Sequence, residues 1–325
     1  MGACCHASAR IRIAGPLCCG IVAQPPAVRT LRLTRPLDLR LTLRPLRRGI
    51  TDPTMRLPAD AAWRATRTPL GPGTERLSLD RHGTLHVQAW GPGAEWLLER
   101  APALVGELDD DSDFQPHHPL IRELWRLHPG LRIPRSEAVF EAAVASILEQ
   151  MVPGAEAWQG WRALVRNLGE PAPGPHAGLF VPPDPARLVA TPYFVFHRYG
   201  VARRRAETIR RAAEHAPRLE EAVDMPPDAA RLRLSSLPGM GPWTAAEVAL
   251  VALGDPDAVS VGDYHLPHVV AWALAGERRG SDERMLELLE PYRGHRGRVL
   301  RLLLTSGAAP PRRGPRLPLR NVARM

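Results

Sequence analysis

The amino-terminal third of the chain alternates apolar and polar residues over short stretches. Alternation at residues 39–43 and 84–90 is typical of half-buried β-strands, and Gly and Pro residues separate the stretches. Residues 93–105 have the spacing of a helix instead. An acidic run at residues 109–113, soon followed by a proline, indicates a linker. We therefore expect a β-rich α+β domain over residues 34–112.

Beyond the linker, apolar residues recur with a helical period. Ser136 is placed to cap a helix that ends before Pro153, and its apolar positions are Phe140, Val144, Ile147, Leu148 and Met151. Further helices are predicted over residues 155–168, 184–190, 202–215, 227–236, 242–253, 266–275, 282–289 and 296–304, with a surface loop at 171–185. The pattern predicts a mainly α region over residues 113–307 and an irregular tail over 308–325.

The charge of the chain comes from arginine alone. Of the 325 residues 43 are basic, none of these is Lys, and the net charge is +9. Guanidinium groups bind phosphate in a bidentate manner, which favours a polyanionic partner, although a GC-rich genome would give the same composition. Arginine interrupts each apolar stretch before the ~20 residues that a membrane span needs. We expect a soluble protein of two or three domains with no membrane partner.

The four cysteines all lie near the start, at Cys4, Cys5, Cys18 and Cys19. No cysteine follows them, so an iron–sulfur cluster with later ligands is excluded. We interpret residues 1–33 as a disordered leader or a mis-assigned start, because no helix or strand pattern surrounds these cysteines. An apolar patch there is short and interrupted by proline, so we expect a cytoplasmic, nucleoid-associated protein rather than a secreted one.

The most informative stretch lies between two predicted helices and reads Leu237-Pro238-Gly239-Met240-Gly241. Its two glycines permit a tight turn and the close approach of another backbone. Exposed N–H groups at the start of the following helix form a site for a phosphate. An ordinary turn between two helices with glycine at the cap is equally consistent with these residues.

A second informative residue is Asp263, which follows Trp243 by twenty positions and precedes another predicted helix. A carboxylate there is stabilised by the helix dipole, and capping the helix is its usual role. Pro267 prefers the first helical turn and moves the expected start of the helix to Leu266. Asp263, His265 and His268 also have the spacing of metal ligands, which leaves a metal-dependent hydrolase open.

Together these residues resemble the helix-hairpin-helix DNA glycosylase superfamily, and within it the DNA-3-methyladenine glycosylase II type. The matching stretches are residues 237–245 and Asp263, with weaker matches at 147–152 and 205–209. The resemblance covers residues 116–307 and, more faintly, 35–108. It implies a mainly α fold with two helical lobes, a cleft between them and a β-rich domain in front.

The resemblance also implies an activity. In this superfamily a damaged base is rotated out of double-stranded DNA and its N-glycosidic bond is broken. Asp263 would be the catalytic carboxylate, which stabilises positive charge on the sugar and directs the attacking water. Met151 would be the wedge that fills the gap in the base stack, although its helical spacing is equally consistent with core packing. The protein would act as a monomer on alkylated purines.

Other site residues are implied in the same way. The base pocket would comprise Gln150, Trp243, Glu247, Tyr264 and Leu303. The DNA backbone would be held by Leu237, Pro238, Gly239, Met240, Gly241 and Thr244. The carbonyl groups of Ser235, Leu237 and Met240 would hold a monovalent cation, with no other cofactor. Trp243 would stack on a cationic purine or lie between helices. Glu247 and Leu303 stand where the family has Tyr and Trp, so Glu247 would bind a base edge or point to solvent.

The absence of lysine distinguishes two mechanisms. Bifunctional relatives carry a Lys at the position of Trp243, and its amine forms a Schiff base that leads to strand cleavage. Without lysine we expect a monofunctional glycosylase with no AP-lyase activity. Residues 203–205, 210–211 and 293–301 carry clusters of Arg, which would contact phosphates or form solvated helix faces. A non-catalytic duplex-binding protein is the remaining alternative.

Overall fold

The computed structural model describes residues 25–311. Its amino-terminal part contains an antiparallel five-stranded sheet in the order β1-β5-β4-β3-β2. The strands are β1 (Ala27–Arg32), β2 (Met55–Arg56), β3 (Ala62–Thr68), β4 (Gly71–Leu79) and β5 (Thr84–Trp90). Leu77, Leu85 and Val87 of the sheet share a core with the helices at Leu39–Leu43 and Ala94–Leu104. The strand predicted at residues 84–90 is thereby confirmed.

Most of the remaining residues are helical, as the pattern predicts. The helices are α1 (Leu39–Leu43), α2 (Ala94–Leu104), α3 (Pro119–Leu127), α4 (Val139–Glu149), α5 (Gly154–Leu168), α6 (Pro185–Ala190), α7 (Tyr193–Arg198), α8 (Arg203–Glu214), α9 (Ala216–Glu220), α10 (Pro227–Ser235), α11 (Pro242–Val248), α12 (Leu266–Ala275), α13 (Asp282–Leu289) and α14 (Arg296–Ser306). A π-helical turn at Ala249–Leu253 extends α11. Two short strands, β6 (Glu170–Pro171) and β7 (Phe180–Val181), form a separate ribbon.

The helices surround two apolar cores, which define two lobes. The first lobe packs α4, α5, α8, α10 and α11 together through residues such as Ile147, Trp161 and Ile209. The second lobe packs α3, α12, α13 and α14 around residues such as Val270 and Leu302. The expected mainly α, two-lobed architecture with an amino-terminal sheet is confirmed. Across residues 25–311, none of the helices has the length and hydropathy needed to cross a bilayer.

Two elements differ from the sequence-based expectation. Residues 27–32 form β1 rather than part of a leader, and this edge strand leaves Val28 67% exposed, so its apolar pattern is weak. Residues 39–43 form helix α1 rather than a strand. The Asp38 carboxylate accepts a hydrogen bond from the Leu41 N–H at 2.9 Å and caps this helix. The cysteines and residues 312–325 lie outside the described residues.

The predicted surface loop at residues 171–185 is partly ordered against the sheet. It contains the end of β6 and all of β7. The Phe180 N–H donates to the Pro53 carbonyl at 2.9 Å, while Leu179 and Val181 are buried. The acidic linker is likewise fixed, because Asp109 forms a buried bidentate pair with Arg298 of α14 at 2.6 and 2.9 Å.

Helix α4 is capped by a distant residue. The Glu220 carboxylate accepts hydrogen bonds from the N–H groups of Val139 and Phe140 at 3.0 and 2.8 Å. The sequence indicated Ser136 as the cap, but its hydroxyl reaches only the Ala138 N–H at 3.5 Å. Burial raises the pKa of Glu220 from its ordinary 4.5 to about 7.

We predict that Glu220→Ala lowers the free energy of unfolding by about 1 kcal/mol, because two N–H groups of α4 lose their acceptor. Glu220 has a higher pKa in the folded state, so its stabilising contribution is complete at acid pH and is lost as the pH rises through about 7. The free-energy difference from wild type, measured by urea unfolding, should therefore be largest at about pH 4.5 and decrease as the pH rises through about 7. Ser136→Ala is the control, and an equal loss in that variant would contradict the assignment of the cap.

Candidate active site and nucleic-acid interface

The hairpin between α10 and α11 is held rigidly against the first lobe. The Met240 N–H donates to the Leu237 carbonyl at 2.9 Å and closes the turn, and both side chains are buried. Gly239 has φ +99°, a conformation that side chains rarely adopt. A Cβ there would lie 2.4 Å from the Thr208 hydroxyl of α8. The fold therefore requires glycine at position 239.

Gly241 is a different kind of glycine. It is exposed, its φ of −89° suits any residue, and a Cβ built there meets nothing within 4 Å. Nothing in the described structure requires glycine at this position. The exposed backbone beside it leaves room for the close approach of another molecule.

Asp263 is positioned by three N–H donors. Its Oδ2 accepts a hydrogen bond from the Trp243 indole Nε1 at 3.0 Å. Its Oδ1 accepts from the N–H groups of His265 and Leu266 at 2.7 and 2.9 Å, so the carboxylate also caps α12. Helix α12 begins at Leu266, as the proline pattern predicts. The carboxylate is partly exposed and faces the first turn of α11, to which Trp243 belongs.

The end of α4 is attached to the hairpin through Gln150. Its amide Nε2 donates to the Gly239 carbonyl at 2.9 Å and to the Thr244 hydroxyl at 2.8 Å. The next residue, Met151, has φ +57° and is 99% exposed. The alternative that Met151 packs in the core is therefore wrong. Its left-handed backbone costs of order 1–3 kcal/mol, and such strain is typical of functional positions.

The remaining predicted pocket residues have three different environments. Tyr264 is 74% exposed and lies edge-on to the His265 ring, 4.9 Å between centroids. Glu247 is half-buried and accepts a hydrogen bond from the buried Ser260 hydroxyl at 2.5 Å, so its carboxyl group is bound within the protein rather than simply pointing to solvent. Burial raises the pKa of Glu247. Leu303 is fully buried in the core of the second lobe, so the prediction that it lines an open pocket is wrong.

The metal-site hypotheses have unequal support. Among residues 25–311 no group of three His, Cys, Asp or Glu side chains is placed to hold a metal ion. His268 accepts a hydrogen bond from the Gly280 N–H at 3.1 Å, and both Asp263 oxygens are engaged as described above. The hydrolase hypothesis therefore lacks a ligand set in this part of the chain. The carbonyl groups of Ser235, Leu237 and Met240 carry no charge, unlike a carboxylate ligand set, and the monovalent cation stays a prediction.

Most of the arginine clusters have structural roles. Arg205 is buried, pairs with Glu156 at 3.2 Å and donates to the Leu148 carbonyl at 2.7 Å. Arg296, Arg298 and Arg301 are also bonded internally, to Asp257, Asp109 and the Leu41 carbonyl. Further bonds join Arg203 to Glu207, Arg210 to the Val189 carbonyl and Arg293 to Glu290. Arg211 differs, since it is partly exposed and donates to the Pro238 carbonyl of the hairpin at 2.7 Å. The buried arginines therefore fit neither of the two expectations, which were contact with phosphates and exposure on a solvated helix face.

No pattern in the sequence indicated several residues that lie beside the site. Arg48, from the segment between α1 and β2, pairs with Glu149 at the end of α4 at 3.3 Å. The Trp158 indole donates to the same carboxylate at 3.2 Å. Ser260 is the partner of Glu247. These contacts join separate segments of the chain, so no local pattern indicates them.

We predict that Gly239→Ala lowers the free energy of unfolding by about 1–3 kcal/mol, because the variant combines a strained backbone with a collision at Thr208. Gly241→Ala should change it by less than about 0.5 kcal/mol, since its Cβ meets open space. Urea unfolding of the two variants is the measurement. Equal losses of stability would show that Gly241 also serves the fold.

Comparisons with known proteins agree with this geometry. No protein-family model matches the chain. Two Mycobacterium tuberculosis proteins, each described as a probable bifunctional transcriptional activator/DNA repair enzyme AlkA, are 32% identical over 149 residues, which is 42% of this chain but only 28% of theirs. Escherichia coli DNA-3-methyladenine glycosylase 2 is 29% identical over 236 residues, covering 71% of this chain and 80% of the relative.

Solved structures with the same fold include two glycosylases. A 3-methyladenine DNA-glycosylase from Archaeoglobus fulgidus has a TM-score of 0.74 at 19% identity, covering 86% of this chain and 98% of that one. An 8-oxoguanine glycosylase/lyase from Clostridium acetobutylicum, solved with double-stranded DNA, has a TM-score of 0.67 at 13% identity, covering 87% and 95%. The sequence comparison agrees with the resemblance to DNA-3-methyladenine glycosylases, and the solved structures show that the chain has the fold of these DNA glycosylases.

Proposed function

We propose that the protein is a monofunctional DNA glycosylase that hydrolyses the N-glycosidic bond of flipped-out alkylated purines in base-excision repair. The observation that carries the proposal is the Asp263 carboxylate, held by the Trp243 indole at 3.0 Å beside the hairpin. The names of the relatives support it, since one is a DNA-3-methyladenine glycosylase. The hairpin and Asp263 are also the two features on which the resemblance rests.

The hairpin is the proposed contact with the backbone of double-stranded DNA. Its turn is rigid, and the exposed Gly241 lets a phosphate approach main-chain N–H groups without meeting a side chain. Arg211 places a guanidinium at the same turn through its bond to Pro238. A monovalent cation on the hairpin carbonyls would add positive charge there. Binding of this kind grips DNA without reading its sequence.

Met151 is the proposed wedge. An apolar side chain inserted into the base stack fills the space left by a flipped nucleotide. Met151 is exposed, follows the Gln150 that binds the hairpin, and is held outward by its backbone conformation. Rotating a base out of the duplex costs a few kcal/mol, and it costs least for damaged bases, which pair and stack more weakly. The wedge would therefore stabilise a flipped state that the lesion already favours.

The proposed chemistry needs one carboxylate and one water. As the bond from the sugar to the purine nitrogen breaks, its electron pair leaves with the base and positive charge develops on the deoxyribose. Asp263 would stabilise that charge and accept a proton from the water that attacks the sugar carbon. The fixed N–H donors hold the Asp263 carboxylate in one orientation. The side chain therefore does not have to reorient as the bond breaks.

Alkylated purines such as 3-methyladenine and 7-methylguanine carry a positive charge. The partly exposed Trp243 ring and the exposed Tyr264 ring offer faces on which such a base can stack, worth about 0.5–2 kcal/mol. The Asp263 carboxylate, which accepts from the Trp243 indole, adds negative potential nearby. We therefore propose cationic alkylpurines as the substrate class.

The proposal of a monofunctional enzyme rests on chemistry available to the side chains. A lysine Schiff base cannot form in a chain whose 325 residues include no Lys, and the position used by bifunctional relatives holds Trp243. The products would be a free base and an intact strand with an abasic site. We further propose that the protein acts as a monomer in the cytoplasm, where the nucleoid supplies its substrate.

We predict that Asp263→Asn slows base release by about 10²–10⁴-fold, because the variant keeps the shape of the side chain but removes its charge. Binding to a duplex that contains an abasic-site analogue should persist. The measurement is single-turnover release of free base from DNA carrying a defined alkylated, deaminated or oxidised base. The strand should remain uncut until alkali is added.

Three outcomes would overturn parts of this proposal. Base release by Asp263→Asn at the wild-type rate would eliminate the proposed mechanism. A wild-type protein that binds duplex DNA but releases none of these bases would be a non-catalytic binding protein. Strand cleavage without alkali would contradict the monofunctional assignment.

We predict that Met151→Ala reduces the rate of base release from duplex DNA by about 10-fold, equivalent to about 1.4 kcal/mol of lost support for the extruded state. The thermal midpoint should be unchanged, because the side chain is 99% exposed. Val28→Ala truncates another exposed apolar side chain far from the hairpin and serves as the control. Equal rates in both variants and wild type would contradict the wedge.

A further inference from the structure

Glu247 occupies the same face of α11 as Trp243, one helical turn later. Residues four positions apart on a helix are neighbours, so both side chains meet the segment of residues 260–263. Trp243 donates to the Asp263 carboxylate, and Glu247 accepts from the hydroxyl of Ser260, which is buried. A single short helix therefore holds this segment at both of its ends.

Residues 260–263 form a hydrogen-bonded turn that couples the position of Asp263 to that of Ser260. The Asp263 N–H donates to the Ser260 carbonyl at 3.2 Å and closes a turn. Gly262 has φ +89° within this turn, and its N–H donates to the Asp282 carboxylate at 3.0 Å. Because the turn is braced in this way, a displacement of Ser260 moves Asp263 with it.

The surroundings of Glu247 contain charges of both signs. Asp263 and Glu149 oppose its ionisation, while Arg48 and the buried Arg301 favour it. In the described part of the chain, Glu247 makes no ion pair within 4 Å, and Ser260 is its one side-chain hydrogen-bond partner. Burying a carboxyl group without an ion pair is costly. Burial raises the pKa of Glu247, as expected for such a group.

We propose that Glu247 is a positioning residue: through the Ser260 hydroxyl, its carboxyl group fixes the turn that presents Asp263 to the Trp243 indole. The inference rests on the proposed function of Asp263. It gives Glu247 a role other than contact with the substrate base. Displacing a reacting group by about 1 Å can cost about 10²-fold in rate, so such a contact has a measurable effect.

The test compares Glu247→Ala, Glu247→Gln and Ser260→Ala in the full chain. Glu247→Ala and Ser260→Ala should each slow single-turnover base release by about 10- to 100-fold. The Kd for a duplex with an abasic-site analogue should change less than about 2-fold, because the loss is confined to the reacting geometry. Glu247→Gln keeps an oxygen that accepts from Ser260, so it should be faster than Glu247→Ala. Glu95→Ala, an exposed change on α2, is the control.

The double variant separates positioning from two independent effects. Glu247→Ala with Ser260→Ala should be no slower than the slower single variant, because both remove one hydrogen bond. Losses that multiply would overturn the inference, as would Glu247→Gln equal to Glu247→Ala. A change in lesion preference among the Glu247 variants would show base contact instead. Thermal unfolding shows whether each variant is folded. If Glu247→Ala does not fold, the single variants Ser260→Ala and Glu247→Gln still test the inference.

Failure of this inference differs from failure of the proposed function. If Asp263→Asn is inactive while Glu247→Ala and Ser260→Ala keep the wild-type rate, only the positioning role is wrong. If the wild-type protein releases no base, or Asp263→Asn is fully active, the glycosylase proposal and the positioning role fail together.

Discussion

The hydrogen bond from the Trp243 indole to the Asp263 carboxylate joins two separately packed lobes. Trp243 lies on α11, whose residues belong to the first core, whereas Asp263 caps α12, whose residues belong to the second. Its 3.0 Å length therefore depends on how the two cores sit together. The site exists because both partners are held by their own lobes, with the carboxylate fixed by backbone N–H groups and the indole by the first turn after a rigid hairpin.

Arginine contributes more to the interior than the net charge of +9 suggests. Arg298 binds Asp109 from both ends of its guanidinium group and lies within 6 Å of the Phe114 and Trp125 rings. Arg205 donates to the Leu148 carbonyl in the last turn of α4, close in sequence to the proposed wedge Met151. Planar, multidentate guanidinium groups suit these buried positions better than an ammonium group would. Counting basic residues therefore overestimates the surface available to DNA.

Local patterns predicted the helices and the central pair of the site, but not the contacts between distant segments. The start of α12 follows from Pro267, and the hairpin with Asp263 follows from spacing. The cap of α4 could not be found locally, because Glu220 lies about eighty residues away. Helices α3, α7 and α9 were not predicted, and α7 and α9 are only one to two turns long. The prediction that Leu303 lines the base pocket failed because matching a family position does not show whether a side chain is buried. Met151 was included among the apolar positions of α4 because the helical spacing continues past the last residue of that helix.

The pairing of Arg48 with Glu149 joins the segment between α1 and β2 to the end of α4, two residues before Met151. The same segment buries Asp52, which accepts a hydrogen bond from the Trp161 indole of α5 at 3.1 Å. The amino-terminal domain is thus a brace for the first lobe rather than an independent module. If the sheet loosened, the contacts of Arg48 and Asp52 with α4 and α5 would be lost as well. We therefore expect the sheet and the end of α4 to unfold as one cooperative unit.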